Sequence, residues 1–179
     1  MPLLLVQAFV NTWDGDHGRD VLLQPEDARG WLSEAGLMPR DEIPDAAGLR
    51  LARDVREAIR ALLSTNGGGP AEEETLRPLQ VLTGKCRLQA SIGPDGLVEL
   101  APVPVVPEAG GLAAALFGLV LLIRDAQADG TWPRLKACRN PECRWAFYDR
   151  SHSRRGTWCD MAICGNRIKN RTLRERQRA

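Results

Sequence analysis

At 179 residues the chain has room for one ordinary domain, or for one domain and a module of about 45 residues. Its hydrophobic fraction of 44 % and charged fraction of 26 % are those of a soluble globular protein and exclude a chain that stays disordered for want of a core. The net charge of +1 hides an asymmetry: from Arg134 onward 13 Arg and Lys face 4 Asp and Glu, leaving 11 against 19 upstream, so a segment of +9 follows one of −8.

The opening MPLLLVQAFV has an apolar run but no basic n-region and no small-residue cleavage site, which points to the cytosol rather than to export. Residues 1 to 13 read as a short strand or helix. They lead into DGDHGRD, a loop in which glycines and aspartates break any regular pattern. A helix is expected at 25 to 35, with Pro25 early, Glu26 and Asp27 in its first turn and Gly36 near its end. In GLRLARDVREAIRALLSTN, the residues Leu51, Val55, Ile59, Leu62 and Leu63 recur at spacings of three and four, the stripe of a helix that faces a core. EEETLRPLQVLTG reads as a further helix in which Pro78 argues for a break or a late start.

RLQASIGPDGLVEL alternates apolar and polar residues on both sides of GPDG, so a β-hairpin is expected at about 87 to 100. The prolines of VPVVPE keep that stretch out of a central strand. GLAAALFGLVLLI, from Gly111 to Ile123, is short of the roughly 20 residues of a membrane span and reads as a buried helix running on to Gly130. Residues 1 to 130 are therefore an α+β, mostly helical domain, with a sensing or dimerising role open to it.

The remaining segment carries four of the five cysteines, as Cys138-x4-Cys143-x15-Cys159-x4-Cys164. Two close pairs separated by a loop can close a tetrahedron of thiolates around one structural Zn²⁺, and a cytosolic chain does not keep disulfides. A closed shell leaves no position for substrate, which weighs against zinc catalysis. Cys86 stands alone and reads as a small core hydrophobe, and His152, set among arginines, as a solvent or phosphate contact. RWAFYD and GTWC read as an antiparallel hairpin with SHSRR at its tip, packing Trp145, Phe147, Tyr148 and Trp158 beside the metal. Asp160 is a fair N-cap for a helix carrying Cys164 in its first turn; a rival boundary has Gly165 closing a second knuckle and Asn166 as the cap.

On that last helix Arg167, Arg171, Arg174 and Arg178 recur every three or four residues along one face, with Lys169 and Arg176 nearby, and Arg150, Arg154 and Arg155 crowd the hairpin tip. Like charges arranged in this way invite a polyanion, with double-stranded DNA the leading candidate and RNA or an acidic protein the alternatives. Outside the finger, Asp14, Asp16 and His17 form the one enzyme-like cluster; a solvated turn is the simpler reading, and no enzyme is expected. Asn11 and Thr12 read as local caps, with ligand binding the alternative.

WPRLKACRNPECRWAFYDRSHSRRGTWCDMAICGNR resembles the CGNR zinc-finger family through its paired cysteines, its F-Y-D segment, its arginine-rich turn and the tetrapeptide Cys164-Gly165-Asn166-Arg167. FVNTW, WLSEAGL and RDVREAIRALL resemble the companion ABATE domain in the same order. The resemblance implies a treble-clef-like finger over residues 134 to 179, one structural zinc and a stress-responsive transcription regulator. Ligands at Cys138, Cys143, Cys159 and Cys164 and nucleic-acid contacts at Arg150, Arg154, Arg155, Arg167, Lys169, Arg171 and Arg174 follow from the spacing and the charge pattern. A homodimer and a small-molecule signal on the N-terminal domain are the further partners open to it.

Overall fold

Apolar periodicity in α1 (Leu3–Val10) and α3 (Ala46–Asn66) builds the centre of the molecule, with Val6, Phe9, Val10, Val55, Ile59 and Leu63 all fully buried in one core. This computed structural model describes residues 3–70, 72–105 and 110–178, with the side chains of Gly110 and Arg178 outside the described set. Asp45 caps α3 by accepting the Gly48 N–H at 2.6 Å, and α3 ends at Gly67 and Gly68, the latter at φ +82°. Leu51 and Leu62, expected in its core stripe, only flank the core; Arg56 and Arg60 are buried in it instead.

The loop after α1 is not irregular. Trp13–Asp14 and Arg19–Asp20 pair as a minimal antiparallel hairpin, β1 and β2. The helix expected at 25 to 35 is α2 (Pro25–Glu34). In α4 (Glu73–Gly84) the break expected at Pro78 does not occur. Proline there forfeits the single bond to the Glu74 carbonyl, in an exposed first turn that water can solvate.

β3 (Cys86–Ile92) and β4 (Val98–Pro104) form the expected hairpin, with Cys86 opposite Pro104 and Ile92 opposite Val98. Gly96 at φ +79° and the Gly93 N–H, bonded to the Leu97 carbonyl, close its turn. Val103 and Pro104 of VPVVPE end β4, an outer strand of a two-stranded sheet as the prolines require, while residues 106–108 lie outside the described set. α5 (Gly110–Ala128) stops where Gly130 takes φ +74°, with Thr131 N–H reaching the Ala126 carbonyl. It is the one helix among the described residues long and apolar enough to cross a membrane, yet it packs on α1, α3, α4 and β4. The buried-helix expectation holds only in part, because 39 % of Gly111–Ala128 is buried.

The C-terminal segment differs from the expected hairpin. β6 (Ala146–Tyr148) pairs with β5 (Leu135–Ala137), just before the first cysteine, and not with GTWC. The first cysteine pair therefore lies in the connection between β5 and β6. A π-helical turn, Met161–Gly165, then runs into α6 (Asn166–Arg178).

Candidate metal centre and basic surface

β5 delivers Cys138, whose N–H bonds the Trp145 carbonyl across the hairpin. The chain then folds over Asn140, whose carbonyl accepts the N–H groups of Cys143 and Arg144, both at 3.0 Å. Arg144 leaves this knuckle in the left-handed region, φ +51°. At the second pair Asp160 caps the turn by accepting the Ile163 N–H at 2.9 Å, and its carbonyl accepts the N–H of Cys164. Cys164 thus lies in the first turn after the Asp160 cap, while the regular α-helix starts at Asn166. Gly165 packs closely there: a Cβ would stand 2.5 Å from Sδ of the half-exposed Met161 side chain, which would have to move, and 3.1 Å from Trp158.

These turns bring all four cysteine sulfurs within 4.8 Å of one another. The Cys143–Cys159 and Cys159–Cys164 separations are 3.6 and 3.7 Å, close to the ~3.8 Å edge of a tetrahedron with Zn–S bonds of about 2.3 Å. Four thiols of this geometry are positioned to hold one metal ion, and an all-sulfur tetrahedral shell suits zinc. Burial pushes the Cys143 thiol up to about 12 and raises Cys159 further, where the neighbouring sulfurs add to the shift. Crowded thiolates call for a divalent cation to neutralise them. For Cys164 burial also raises the pKa, but Asn140 Nδ2, 3.6 Å from its sulfur, and the other sulfurs outweigh burial and bring it down. Asn140 is completely buried and links the first knuckle to the last ligand.

Trp145, Phe147 and Trp158 pack around the cysteines as expected, but Tyr148 packs on the main core instead. Its position in β6, opposite Leu135, turns it that way. Cys86 is buried in the main core, and His152 is exposed.

The finger is bound to the helical body by polar groups that sequence alone does not single out. Asn11 clamps Ala146 in β6 from both sides, donating to its carbonyl at 2.9 Å and accepting its N–H at 2.8 Å. Arg60, 1 % exposed, donates to the Val10 carbonyl and to the Arg144 carbonyl, each at 2.7 Å, and lies 4.9 Å from the Trp13 ring centre. Burial lowers its pKa, and Glu57 at 3.1 Å partly offsets that. Arg56 forms a two-pronged pair with Asp20. Thr12 bonds the Phe9 carbonyl, so it caps α1, whereas Asn11 holds Ala146 of β6.

The arginine-rich loop is also built on a buried pair. Lys136 meets Asp149 at 2.8 Å and donates to the carbonyls of Arg154 and Gly156. Asp149 accepts the N–H groups of Ser151 and Gly156 as well. Burial raises the Asp149 pKa, but these donors outweigh it and hold the carboxyl well below the usual range. A single aspartate of the F-Y-D segment therefore folds the loop that displays Arg150, Arg154 and Arg155, all exposed, with Arg154 at φ +53°.

On α6, Arg167, Arg171 and Arg174 line one cleft of about 460 Å³ with Glu142, Asn170 and Glu175. Lys169 and Arg176 are exposed outside that lining, and Arg150 edges a different cavity beside Trp145, Phe147 and Tyr148. Two of the arginines already hold carboxylates: Arg167 pairs with Asp16 at 2.7 Å and Arg171 with Glu142 at 2.5 Å. Asp14 is paired with an exposed His17 at 2.8 Å while Asp16 turns to Arg167, so the three members of that loop do not converge on one point. Among the described residues, the four cysteines are the one group arranged to hold a metal.

The finger segment matches the model of the CGNR zinc finger over residues 134–177. Residues 4–128 match ABATE, whose description is "Putative stress-induced transcription regulator". Neither description is that of an enzyme family. No curated protein matches the chain. The two matches follow one another in the order the sequence led us to expect, and the chain belongs to the ABATE family, carrying a CGNR zinc finger with a site for one structural zinc.

Proposed function

We propose that this protein is a cytosolic, stress-responsive regulator of transcription that binds double-stranded DNA through the basic face of α6. Residues 1 to 130 form its sensing domain and residues 134 to 179 its treble-clef-like finger. Zinc held by Cys138, Cys143, Cys159 and Cys164 supplies folding energy and no reaction step, because four thiolates fill its shell. The observation that carries the reading is the shared cleft of Arg167, Arg171 and Arg174 on a helix anchored at Cys164. Guanidinium groups in such a row neutralise successive phosphates and release condensed counterions. Lys169 and the displayed Arg150, Arg154 and Arg155 extend the contact to neighbouring phosphates, which position the protein without reading sequence. A small-molecule signal would act through the N-terminal domain.

A second reading is favoured by one detail. Arg167 and Arg171 already bind carboxylates, which is how an acidic protein segment would engage them. Selection of binders from pooled random DNA and RNA with the purified protein separates the two: enrichment of a duplex motif supports the regulator, and no enrichment from either pool favours the protein partner.

A further inference from the structure

We infer that two copies of this chain associate by exchanging hairpin tips, each β3–β4 tip seating in the apolar groove beside α5 of the other copy. The register places Cys86, Leu88, Ala90 and Ile92 on one face of the hairpin with Val98, Leu100, Pro102 and Pro104. That face is wholly apolar, while Arg87, Gln89, Ser91 and Glu99 point the other way. Exposure rises along it from 8 % at Cys86 to 47 % at Leu88 and 74 % at Ile92, with Val98 and the turn residue Leu97 both at 64 %. The body covers the root of the hairpin and leaves the tip bare.

The second observation is a groove of about 390 Å³ walled by Leu5, Leu37 and Pro102 and floored by Ala115, Gly118 and Leu122. Among the described residues no charged side chain lines it. A Cβ added at Gly118 would meet nothing within 4 Å, so the floor is open space rather than a packed contact. The groove runs along the helix whose apolar length exceeds what the body buries.

An uncharged groove takes an apolar occupant, and the same chain carries one that projects. The tip does not reach its own groove: Val98 stands four positions along β4 from Pro102 in the wall, about 13 Å of extended chain. It can enter the groove of another copy. A two-fold operation makes the exchange reciprocal and closed, buries both tips and both grooves, and so counts each apolar contact twice toward the roughly 800 Å² per partner of a stable interface.

Sedimentation of the full zinc-loaded protein across a range bracketing ~10 µM tests this. A dimer is expected, weakened at least about tenfold both by Ile92→Asp at the exposed tip and by Gly118→Leu, which fills the groove from a position where an added Cβ meets no neighbour. Mixing the two variants should restore association beyond that of either alone, since the intact tip of one then meets the intact groove of the other. A native protein that stays monomeric throughout the range overturns the inference, as do variants that dimerise like the parent or a mixture that gains nothing. Co-sedimentation of such a monomer with phosphatidylcholine vesicles would assign the surface to lipid instead.

Discussion

The helical body and the finger are stable for different reasons. The body closes around large aliphatic and aromatic side chains, among them Phe9, Leu32, Ile59, Leu63 and Leu116, each fully buried. Around its metal site the finger buries three cysteines and leans on half-buried Trp145, Phe147 and Trp158, while Leu135, Ala137 and Ala146 of its strands join the core of the body. Too few apolar groups are covered there to offset the entropy of ordering the segment, so the metal must supply the difference. The join between them is apolar and polar at once: Leu135, Ala137 and Ala146 pack into the core of the body, while Asn11 bonds Ala146 and Arg60 bonds the Arg144 carbonyl.

Removing a thiolate should separate the two regions most sharply. Cys143→Ser or Cys164→Ser is expected to release zinc and unfold the finger while the body keeps its helices, since binding of a structural zinc is worth about 10 kcal/mol or more. Metal analysis with limited proteolysis reads both halves; loss of the body along with the finger would mean that the two form one cooperative unit. Lys136→Met strands Asp149 without its partner at a site only 4 % exposed. A loss of roughly 3–5 kcal/mol is expected, visible as a lowered Tm and faster proteolysis at Arg150–Arg155 with zinc still bound. Asn11→Ala removes two hydrogen bonds to Ala146 and should cost about 1–3 kcal/mol, loosening the finger without releasing its metal. Hydrogen exchange at Ala146 measures it. The smallest effect belongs to Asp16→Asn, which frees Arg167 on an exposed face. DNA affinity at low salt should rise about two- to fivefold, and an unchanged affinity would show that the body does not mask α6.

Much of this arrangement is legible in the chain. Cysteine spacing points to the ligand set because the chemistry of one ion needs two close pairs, and the stripe of α3 fixes its long helix by period alone. What escapes is partnership over distance. The Leu135–Ala137 strand is three residues long, too short to compete with GTWC as a partner for β6 on pattern alone, so sequence pattern pairs β6 with the wrong strand. Arg56 and Arg60 interrupt an apolar stripe and look solvated until Asp20, Val10 and Arg144 arrive from elsewhere in the chain. Asn11 and Asp149 are equally plain in sequence, and their roles appear only when Ala146 and Lys136 lie beside them.

The central claim is that a zinc-held helix presents Arg167, Arg171 and Arg174 to phosphates. Duplex DNA binding measured against salt tests it most directly, on the parent and on Arg171→Ala with zinc content determined for both. Three to six phosphate contacts predict a slope of log K against log[salt] of about −3 to −5, reduced by about one in the variant. Equal affinity and an unchanged slope in an Arg171→Ala protein that keeps its zinc would contradict it.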